Sequence, residues 1–365
     1  MGKGVISRGI TAPMIKEGDN IVDIVVDAVL KETIRGQKFV QPSPNAKGLV
    51  PVPGEYTYDL NHKDVIGITE SVVARAAGQY VTVDNIAEDV IKKFGPAAVI
   101  NVINPIYSRN RFSMILKGIA RAASKIVFSM PPYDEVGNPS GVNPFTGVNI
   151  QEYYKEICEN ENCETQFLTR TLELNRLYCG LHDYQTWKEK NSSSKVKCYT
   201  LADICSNVSP DWGLLGTNKS TEERLKLFPS KAEAQKVCDE VKNRLIEKTG
   251  KNVIVCVYGD GAFCDPVGHI WEWADPTTMP AYTDKELIES TPNEIKVKAF
   301  IDQGISDESI QKLIDQKDKK LVGSMASQGT TPRLYRDLLA SLMDLTSGSG
   351  ERCTPIILIQ NYFKV

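Results

Sequence analysis

Stretches in which apolar residues recur every three or four positions mark the helices of this chain. In the segment EGDNIVDIVVDAVLK (17–31) the apolar residues fall on one helical face, and Asp19 or Asn20 stands where a cap is needed. Asp84 in the same way precedes a periodic stretch that Gly95 closes. The pattern predicts helices over 17–31, 84–94, 111–123, 230–247 and 332–345.

Short apolar runs bounded by glycine, proline or charged residues mark the strands. The runs are four to nine residues long, as expected of buried strands. They predict strands over 64–69, 80–83, 97–103, 125–130, 251–259, 294–300 and 354–360. These elements intermix with the helices without a regular strand-helix-strand period, and the glycine fingerprint of dinucleotide-binding folds is absent from the sequence.

Composition excludes some classes of function. The 365 residues include 24% charged residues with a net charge of −3, so the chain lacks the strong basic excess of a nucleic-acid-binding protein. No apolar stretch of membrane-spanning length occurs, and the first ten residues lack the apolar centre of a signal peptide. The nine cysteines are an odd, scattered set. We therefore expect reduced thiols, a cytoplasmic location, and neither a nucleic-acid nor a membrane partner.

The segment VIVCVYGDGAFCDP (253–266) carries the clearest candidate chemistry. Asp260 follows an apolar strand and lies between two glycines, which let a backbone approach a ligand closely, and Asp265 follows five residues later. Carboxylates at a strand end suit Mg²⁺ or Mn²⁺, which prefer hard oxygen ligands. Gly-Asp-Gly is also a common sequence in ordinary turns. On these residues alone the segment is either a metal site or a turn.

Two polar loops offer further candidates. Asp211 lies in the serine-, asparagine- and glycine-rich segment 206–221, where it is a metal ligand or the first residue of a solvated turn. The loop LTSGSGER (345–352) joins a predicted helix to the last strand. Its backbone N–H groups can cradle a phosphate, with Glu351 as a metal ligand, or the loop is a flexible connector.

A set of thiol and imidazole residues raises the question of zinc. Cys158, Cys163, Cys179 and His182 have ligand types that suit a structural zinc site. Their spacing is loose, and free thiols on helices and loops explain the same residues.

A local basic cluster occurs in this acidic chain. Residues 108–111 (SRNR) lie close in sequence to Lys117 and Arg121. The cluster either holds an anionic substrate or forms the solvated face of a helix.

Four segments together resemble a known family, the gamma-glutamyl ligases that extend the tail of the deazaflavin coenzyme F-420. They are APMIKEGDNIVDIV (12–25), HKDVIGITESVVARAAGQ (62–79), EKTGKNVIVCVYGDG (247–261) and LLASLMDLTSGSGERCTPIILIQ (338–360). The segments follow the family's order and reach from one end of the chain to the other. Their order and spacing carry the resemblance.

The resemblance implies a fold, an assembly and a reaction. The fold is α+β, with mixed sheets and packed helices in an intertwined homodimer. Residues 1–129 and 196–365 form the ligase-like core, and 130–195 is an insertion or variable region. GTP, or ATP, phosphorylates a small-molecule carboxylate acceptor with the help of Mg²⁺ or Mn²⁺, and the amine of an amino acid such as glutamate attacks the acyl phosphate.

Carried over by position, the resemblance also assigns site residues. The nucleotide contacts are Ala12, Pro13, Met14, Ile15, Glu70, Ser71, Arg75, Ser347, Gly348, Ser349 and Gly350. The metal ligands are Asp211, Asp260, Asp265 and Glu351. No catalytic side chain is assigned.

Three positions depart from the family pattern. The residue after the metal aspartate is Gly261 instead of a hydroxyl residue, a Ser/Thr pair becomes Glu70-Ser71, and a lysine becomes Arg75. Arginine and lysine bind phosphate differently, and a carboxylate repels it. The loss of a hydroxyl at Gly261 favours a second reading, a non-catalytic nucleotide- or metabolite-binding member of the family. The cysteines and His182 leave a third reading open, a zinc-stabilised interaction module at 150–195 attached to an active core. The acceptor and the purine base stay open as well.

Overall fold

The structure is a computed structural model of the 365-residue chain. It describes residues 4–33, 37–40, 50–53, 59–109, 111–134, 137–142, 147–191, 194–259, 262–264, 271–273, 276–291, 294–315, 333–347 and 353–363. No helix in these ranges is long and apolar enough to cross a membrane.

Ten α-helices lie in the described part of the chain. They are α1 (Ile21–Thr33), α2 (Glu70–Ala76), α3 (Val83–Phe94), α4 (Arg111–Ala122), α5 (Ile150–Asn160), α6 (Leu181–Lys190), α7 (Lys231–Thr249), α8 (Glu294–Asp302), α9 (Asp307–Asp315) and α10 (Tyr335–Thr346). The predicted helices at 17–31, 84–94, 111–123, 230–247 and 332–345 correspond to α1, α3, α4, α7 and α10, and those predictions are confirmed.

The same residues contain seventeen β-strands. They are β1 (Ile6–Ile10), β2 (Gln37–Val40), β3 (Val50–Pro53), β4 (Val65–Thr69), β5 (Tyr80–Thr82), β6 (Ala98–Ile103), β7 (Ala123–Ser129), β8 (Glu164–Leu168), β9 (Asn175–Tyr178), β10 (Cys198–Thr200), β11 (Thr217–Lys219), β12 (Arg224–Leu227), β13 (Ile254–Tyr258), β14 (Ala262–Cys264), β15 (Trp271–Trp273), β16 (Ala281–Tyr282) and β17 (Ile356–Gln360).

The first large sheet is mixed, with strand order β1-β17-β4-β13-β16. Its central pair, β4 and β13, is parallel, and the other pairs are antiparallel. Both faces are covered: α1 and α7 pack on one face, and α10 packs on the other. Burial on both faces explains why β4, β13 and β17 are continuous apolar runs instead of alternating ones.

The second large sheet is wholly parallel, with order β10-β9-β6-β7-β8. Helices α4 and α5 make its successive crossovers, and α6 joins β9 to β10. The expectation that the chain has no regular strand-helix-strand period is therefore wrong for residues 98–200. The pattern was hidden because a turn-rich segment separates β7 from α5, and β8 (ETQFL) begins with three polar residues instead of an apolar run. Residues 130–195, predicted as an insertion or variable region, supply β8, β9, α5 and α6.

A small antiparallel sheet, β11-β12-β5, lies beside the second sheet. Leu225, Leu227 and Val81 on one of its faces are buried in the same hydrophobic core as α3, α4 and the parallel strands. Its register aligns Asn218 with Lys226, and Lys226 with Tyr80, across the three strands. Because side chains alternate along a strand, these three residues share the opposite face. That face is polar.

Two local predictions need correction. Residues 294–300 (EIKVKAF) were expected to form a strand but belong to α8, which packs against α9. Polar and apolar residues alternate over EIKVK, but so short a stretch does not distinguish the two-residue period of a strand from the 3.6-residue period of a helix. Packing against the rest of the chain decides between the two. The cap of α3 is Thr82, not Asp84, since Thr82 accepts from Asn85 N–H in a reciprocal capping box. Pro332, the first residue of the helix predicted over 332–345, lies outside the described residues.

Packing of α4 against α3 yields a stability prediction at Gly118. A Cβ there would lie 2.6 Å from Ile86 Cγ2 and 3.1 Å from Val83 O. We expect Gly118→Ala to lower the free energy of unfolding by about 1–2 kcal/mol, because overpacking outweighs the better helix propensity of alanine. Urea unfolding followed by circular dichroism measures it. Gly141→Ala is the control, since its Cβ meets no described atom within 4 Å; equal stability of both variants contradicts the packing account.

Candidate functional site

The register of the mixed sheet brings separate parts of the chain to one edge. Ile10 pairs with Ile356, Ile356 with Ile68, and Ile68 with Val257, so the four residues form one row across four strands. β1 ends at this row, β4 and β13 end one residue beyond it, and β17 begins at it. The chain on either side of the row therefore leaves or enters the sheet at the same edge.

Backbone hydrogen bonds tie these segments together beyond the row. Ala12 N–H donates to Cys353 O at 2.9 Å, and Thr69 N–H donates to Pro355 O at 3.0 Å. The segment that follows β1, the residues that precede β17 and the start of α2 are thus direct neighbours.

The N-terminus of α7 lies at the same end of the sheet. Gln235, in its second turn, donates from Nε2 to Tyr282 O at 3.1 Å, and Tyr282 pairs with Cys256, two residues before the end of β13. Asp211 is fixed there too, because its Oδ2 accepts from Lys231 N–H at 2.7 Å. This N–H is one of those that a helix leaves without an internal partner at its first turn. Asp211 therefore caps α7 from the 206–221 loop.

Beside this edge lies a polar pocket of about 290 Å³. It is bounded on one side by α2 and on the other by the polar face of the β11-β12-β5 sheet. The described residues that line it are Glu70, Ser71, Arg75, Tyr80, Asn218, Lys219, Ser220 and Lys226. They carry three cationic side chains against one carboxylate, and they supply hydroxyl and amide donors. Such a lining suits an anion with more than one negative charge.

A buried ion pair crosses the pocket from one side to the other. Lys226 Nζ of β12 lies 3.3 Å from Glu70 Oε1 and 2.5 Å from Ser71 Oγ, both on α2. Lys226 and Glu70 expose only 6% and 3% of their surface. Asn218 Nδ2 also approaches Glu70 Oε1 at 3.5 Å. The pair joins the mixed-sheet part of the molecule to the small sheet.

The rim of the pocket involves the segment after β1. The Arg224 guanidinium lies 3.6 Å over the ring of Tyr80 and donates to Glu17 Oε2 at 3.1 Å. Glu17 in turn packs against Gly78, where a Cβ would lie 2.9 Å from Glu17 Oε1 and the φ angle is +68°. Only glycine combines that close approach with a left-handed backbone at low cost.

Residues 9–361 match the family described as F420-0:gamma-glutamyl ligase. The chain belongs to this family. The match covers nearly the whole chain, including 130–195, and the resemblance inferred from four segments is confirmed. The family is one of carboxylate–amine ligases that form gamma-glutamyl bonds. The several sheets and the helices of the described residues confirm the expected α+β class. Among curated proteins there is no match.

Eight of the eleven family-derived nucleotide residues are described, and they lie in three parts of the chain. Glu70, Ser71 and Arg75 come together in the pocket. Ala12 and Ile15 are 1% and 3% exposed and lie in the core under the mixed sheet, which leaves their backbone as the part able to meet a ligand. The other two residues of this segment, Pro13 and Met14, are exposed, and Ser347 follows the last turn of α10.

Six of the assigned positions belong to segments outside the described ranges. They are Gly348, Ser349, Gly350, Asp260, Asp265 and Glu351. Of the four assigned metal ligands the structure therefore places Asp211 alone. Within the described ranges no group of three or more histidine, cysteine or acidic residues is arranged to hold a metal ion. The nucleotide and metal assignments stay predictions.

The zinc hypothesis does not agree with the structure. Cys158, Cys163, Cys179 and His182 are all described, and they do not form a metal-binding group. The three cysteines are buried free thiols, whereas His182 is exposed. Cys158 hydrogen-bonds to Cys163, and this bond together with burial raises the pKa of the Cys158 thiol. A protonated buried thiol behaves as a small apolar core residue.

The basic cluster near α4 is occupied by ion pairs. Lys117 contacts Glu223, and Arg121 Nε lies 2.8 Å from Glu161 Oε2. Hydrogen bonds to Glu161 and then to Asp84 raise the pKa of the Arg121 guanidinium. For these two side chains the solvated-face interpretation is the better one.

The residues of the pocket's second wall carry no signal of a binding site in the sequence. Lys226 stands between two leucines in RLKL (224–227), which is the pattern of a strand with one solvated face. Asn218 and Lys219 lie in a turn-like segment near Asp211. Only the pairing of β11, β12 and β5 brings these residues opposite α2.

The contact between Asp211 and Lys231 N–H yields a prediction about α7. Asp211→Ala removes the acceptor and should lower the free energy of unfolding by about 0.5–2 kcal/mol, whereas Asp211→Asn keeps an amide oxygen and should lose less. Thermal unfolding in buffer with a metal chelator measures both changes without a contribution from bound metal. Wild-type stability of Asp211→Ala contradicts the capping role.

Proposed function

We propose that this protein is a nucleotide- and divalent-metal-dependent carboxylate–amine ligase that forms a gamma-glutamyl-type bond through an acyl phosphate. The observation that carries the proposal is the cationic pocket beside the edge where the four family segments meet. Family membership supplies the reaction class. The pocket supplies a place for the phosphates.

The charges of the pocket fit the demands of phosphoryl transfer. Catalysis of that reaction depends mainly on holding the phosphates in position and on neutralising their charge. Arg75, Lys219 and Lys226 are cationic side chains on two sides of the pocket, and Lys219 also pairs with the exposed Glu222 at 2.6 Å. Ser71 and Ser220 add two hydroxyls to the lining. Since the pocket excludes part of the water, each cation interacts more strongly with a phosphate than it does in bulk solvent.

The proposed reaction has two steps. A carboxylate oxygen of the acceptor attacks the terminal phosphorus of the nucleotide, and the nucleoside diphosphate leaves. The neutral amine of the amino acid then attacks the acyl carbon; the new C–N bond forms as phosphate leaves, and the amine loses its extra proton to solvent or to a base. In both steps the cations of the pocket hold the phosphate that carries the negative charge.

Mg²⁺ or Mn²⁺ would be bound by carboxylates at the same end of the mixed sheet. Asp211 is an exposed hard oxygen ligand there, and its hydrogen bond to α7 engages Oδ2. This chemistry fits either ion, with Asp260 as the proposed second ligand. When bound, the ion would neutralise phosphate charge. Glutamate as the amine substrate, a small carboxylate acceptor, a homodimer and a cytoplasmic location remain expectations drawn from the family resemblance.

A second function is favoured by one observation in the sequence. Gly261 stands where the family has a hydroxyl residue beside the metal aspartate. Loss of that oxygen favours a member that binds nucleotide but does not transfer phosphate. Release of nucleoside diphosphate in the presence of glutamate and candidate carboxylate acceptors separates the ligase from this binding protein.

Nucleotide binding is the first prediction of the proposal. GTP or ATP with Mn²⁺ or Mg²⁺ should raise the thermal unfolding midpoint, because a ligand at 100 times its dissociation constant stabilises the fold by about 2.7 kcal/mol. The screen includes GDP, ADP and each metal alone. A rise that requires both nucleotide and metal supports the proposal, and no rise with any combination contradicts it.

The second prediction concerns Asp260. Asp260→Asn should abolish the metal-dependent part of nucleotide binding and leave the melting midpoint of the unliganded protein near that of the wild type, because it removes one charge and keeps the side-chain size. Glu272→Gln, which makes the same change of acid to amide twelve residues later at a position without an assigned role, is the control. Unchanged metal-dependent binding by Asp260→Asn would show that Asp260 is not a ligand.

A further inference from the structure

Lys226 is an unusual lysine, because its charge is buried in the middle of a strand that faces a pocket. Lysine is rarely buried unless it is paired. Here the strand register places it between Asn218 and Tyr80, so its ammonium reaches across the pocket towards α2. Leu225 and Leu227 on either side anchor the strand in the neighbouring core. The backbone position of Lys226 is therefore firmly set.

The contacts of the ammonium leave capacity for a ligand. Glu70 Oε1 and Ser71 Oγ are its acceptors among the described residues, at 3.3 Å and 2.5 Å. An ammonium has three N–H donors, so one remains beyond these two. Lys226 also lines the pocket, so an anion in the pocket can reach it.

Glu70 is poorly suited to touch a phosphate itself. It is a carboxylate, 3% exposed, and its Oε1 faces Lys226. A buried carboxylate close to a phosphate repels it, whereas a carboxylate that pairs with a lysine fixes the place of the positive charge. The family resemblance assigned Glu70 to the nucleotide and did not assign Lys226.

We propose that Lys226 binds an anionic phosphate of the substrate and that Glu70 is the positioning residue that holds its ammonium at the pocket. Glu70 alone stands at a position where the family pattern has a hydroxyl residue, and Lys226 reaches it from β12 on the opposite wall. The inference rests on the proposed function for the identity of the phosphate donor. Phosphate binding by Lys226 can be measured without any nucleotide.

The test measures binding of inorganic tripolyphosphate to the full chain without metal, by calorimetry, beside GTP and ATP with Mg²⁺. Lys226→Met should weaken tripolyphosphate binding about 10- to 100-fold, as expected for a lost charge-assisted hydrogen bond. Glu70→Gln should also weaken it, although the variant gains net positive charge. Stronger binding by Glu70→Gln would mean that Glu70 acts by repulsion alone and would overturn the positioning role.

The double variant Lys226→Met/Glu70→Gln controls for misfolding of the single variants. It also completes a double-mutant cycle for the two residues. It removes both charges of the buried pair, so neither partner is left uncompensated. Its affinity should equal that of Lys226→Met within about twofold, because Glu70 acts through Lys226. Independent, additive losses would place Glu70 in its own contact with the ligand and contradict the inference.

An exposed ion pair on α7 gives the matched control. Lys236 and Glu240 lie 3.9 Å apart, with side chains 77% and 43% exposed. Lys236→Met and Glu240→Gln make the same chemical changes outside the pocket and should leave tripolyphosphate binding unchanged. Equal losses in the control pair would show a general charge effect and overturn the assignment to Lys226.

The two ligands separate this inference from the proposed function. Tripolyphosphate binding that depends on Lys226, without binding of either nucleotide, supports the inference and contradicts the ligase proposal. Nucleotide binding that Lys226→Met leaves intact supports the ligase proposal and overturns the inference. Absence of tripolyphosphate binding by the wild type overturns the inference as well.

Discussion

The parallel pairing of β4 with β13 is the constraint on which the candidate site depends. It sets Thr69 opposite Tyr258, and the antiparallel neighbours β17 and β1 then align Ile356 and Ile10 in the same row. A slip of one residue would turn every side chain of a strand to the other face, and both faces here are buried. The hydrophobic cores on the two faces therefore fix the register. The register in turn decides which loops meet at the end of the sheet where β4 and β13 end and β17 begins.

The pocket exists because two separately packed parts of the chain meet beside that edge. α2 follows β4 directly and carries Glu70, Ser71 and Arg75, while the β11-β12-β5 sheet is anchored in the core of the parallel sheet. The buried pair between Lys226 and Glu70 bridges the two parts. A buried pair is costly to desolvate and is weak evidence for stability by itself. Its position in a pocket with two further cations favours a role in binding.

How much of this could be predicted from the sequence differs from element to element. α7 was predictable because Ser230 and Glu233 form a capping box and Gly250 takes the left-handed conformation at its end. β4, β13 and β17 were predictable as apolar runs, but their pairing order was not, since long-range contacts leave no local signal. Asp211 was found as a polar loop residue, and the sequence could not show that it caps α7. Lys226 was missed because a lysine between two leucines looks like the outer face of a strand. Family resemblance brought Glu70, Ser71 and Arg75 together, and only the fold supplied the opposite wall.

The central claim is that the pocket between α2 and the small sheet holds the phosphates of a nucleotide. Diffraction from crystals grown with a non-hydrolysable GTP or ATP analogue and Mn²⁺ tests it most directly. The account predicts phosphate oxygens within hydrogen-bond distance of Lys226 Nζ and Arg75, and an anomalous manganese signal beside Asp211 and Asp260. Nucleotide bound elsewhere on the chain, with no phosphate near Lys226, would contradict it.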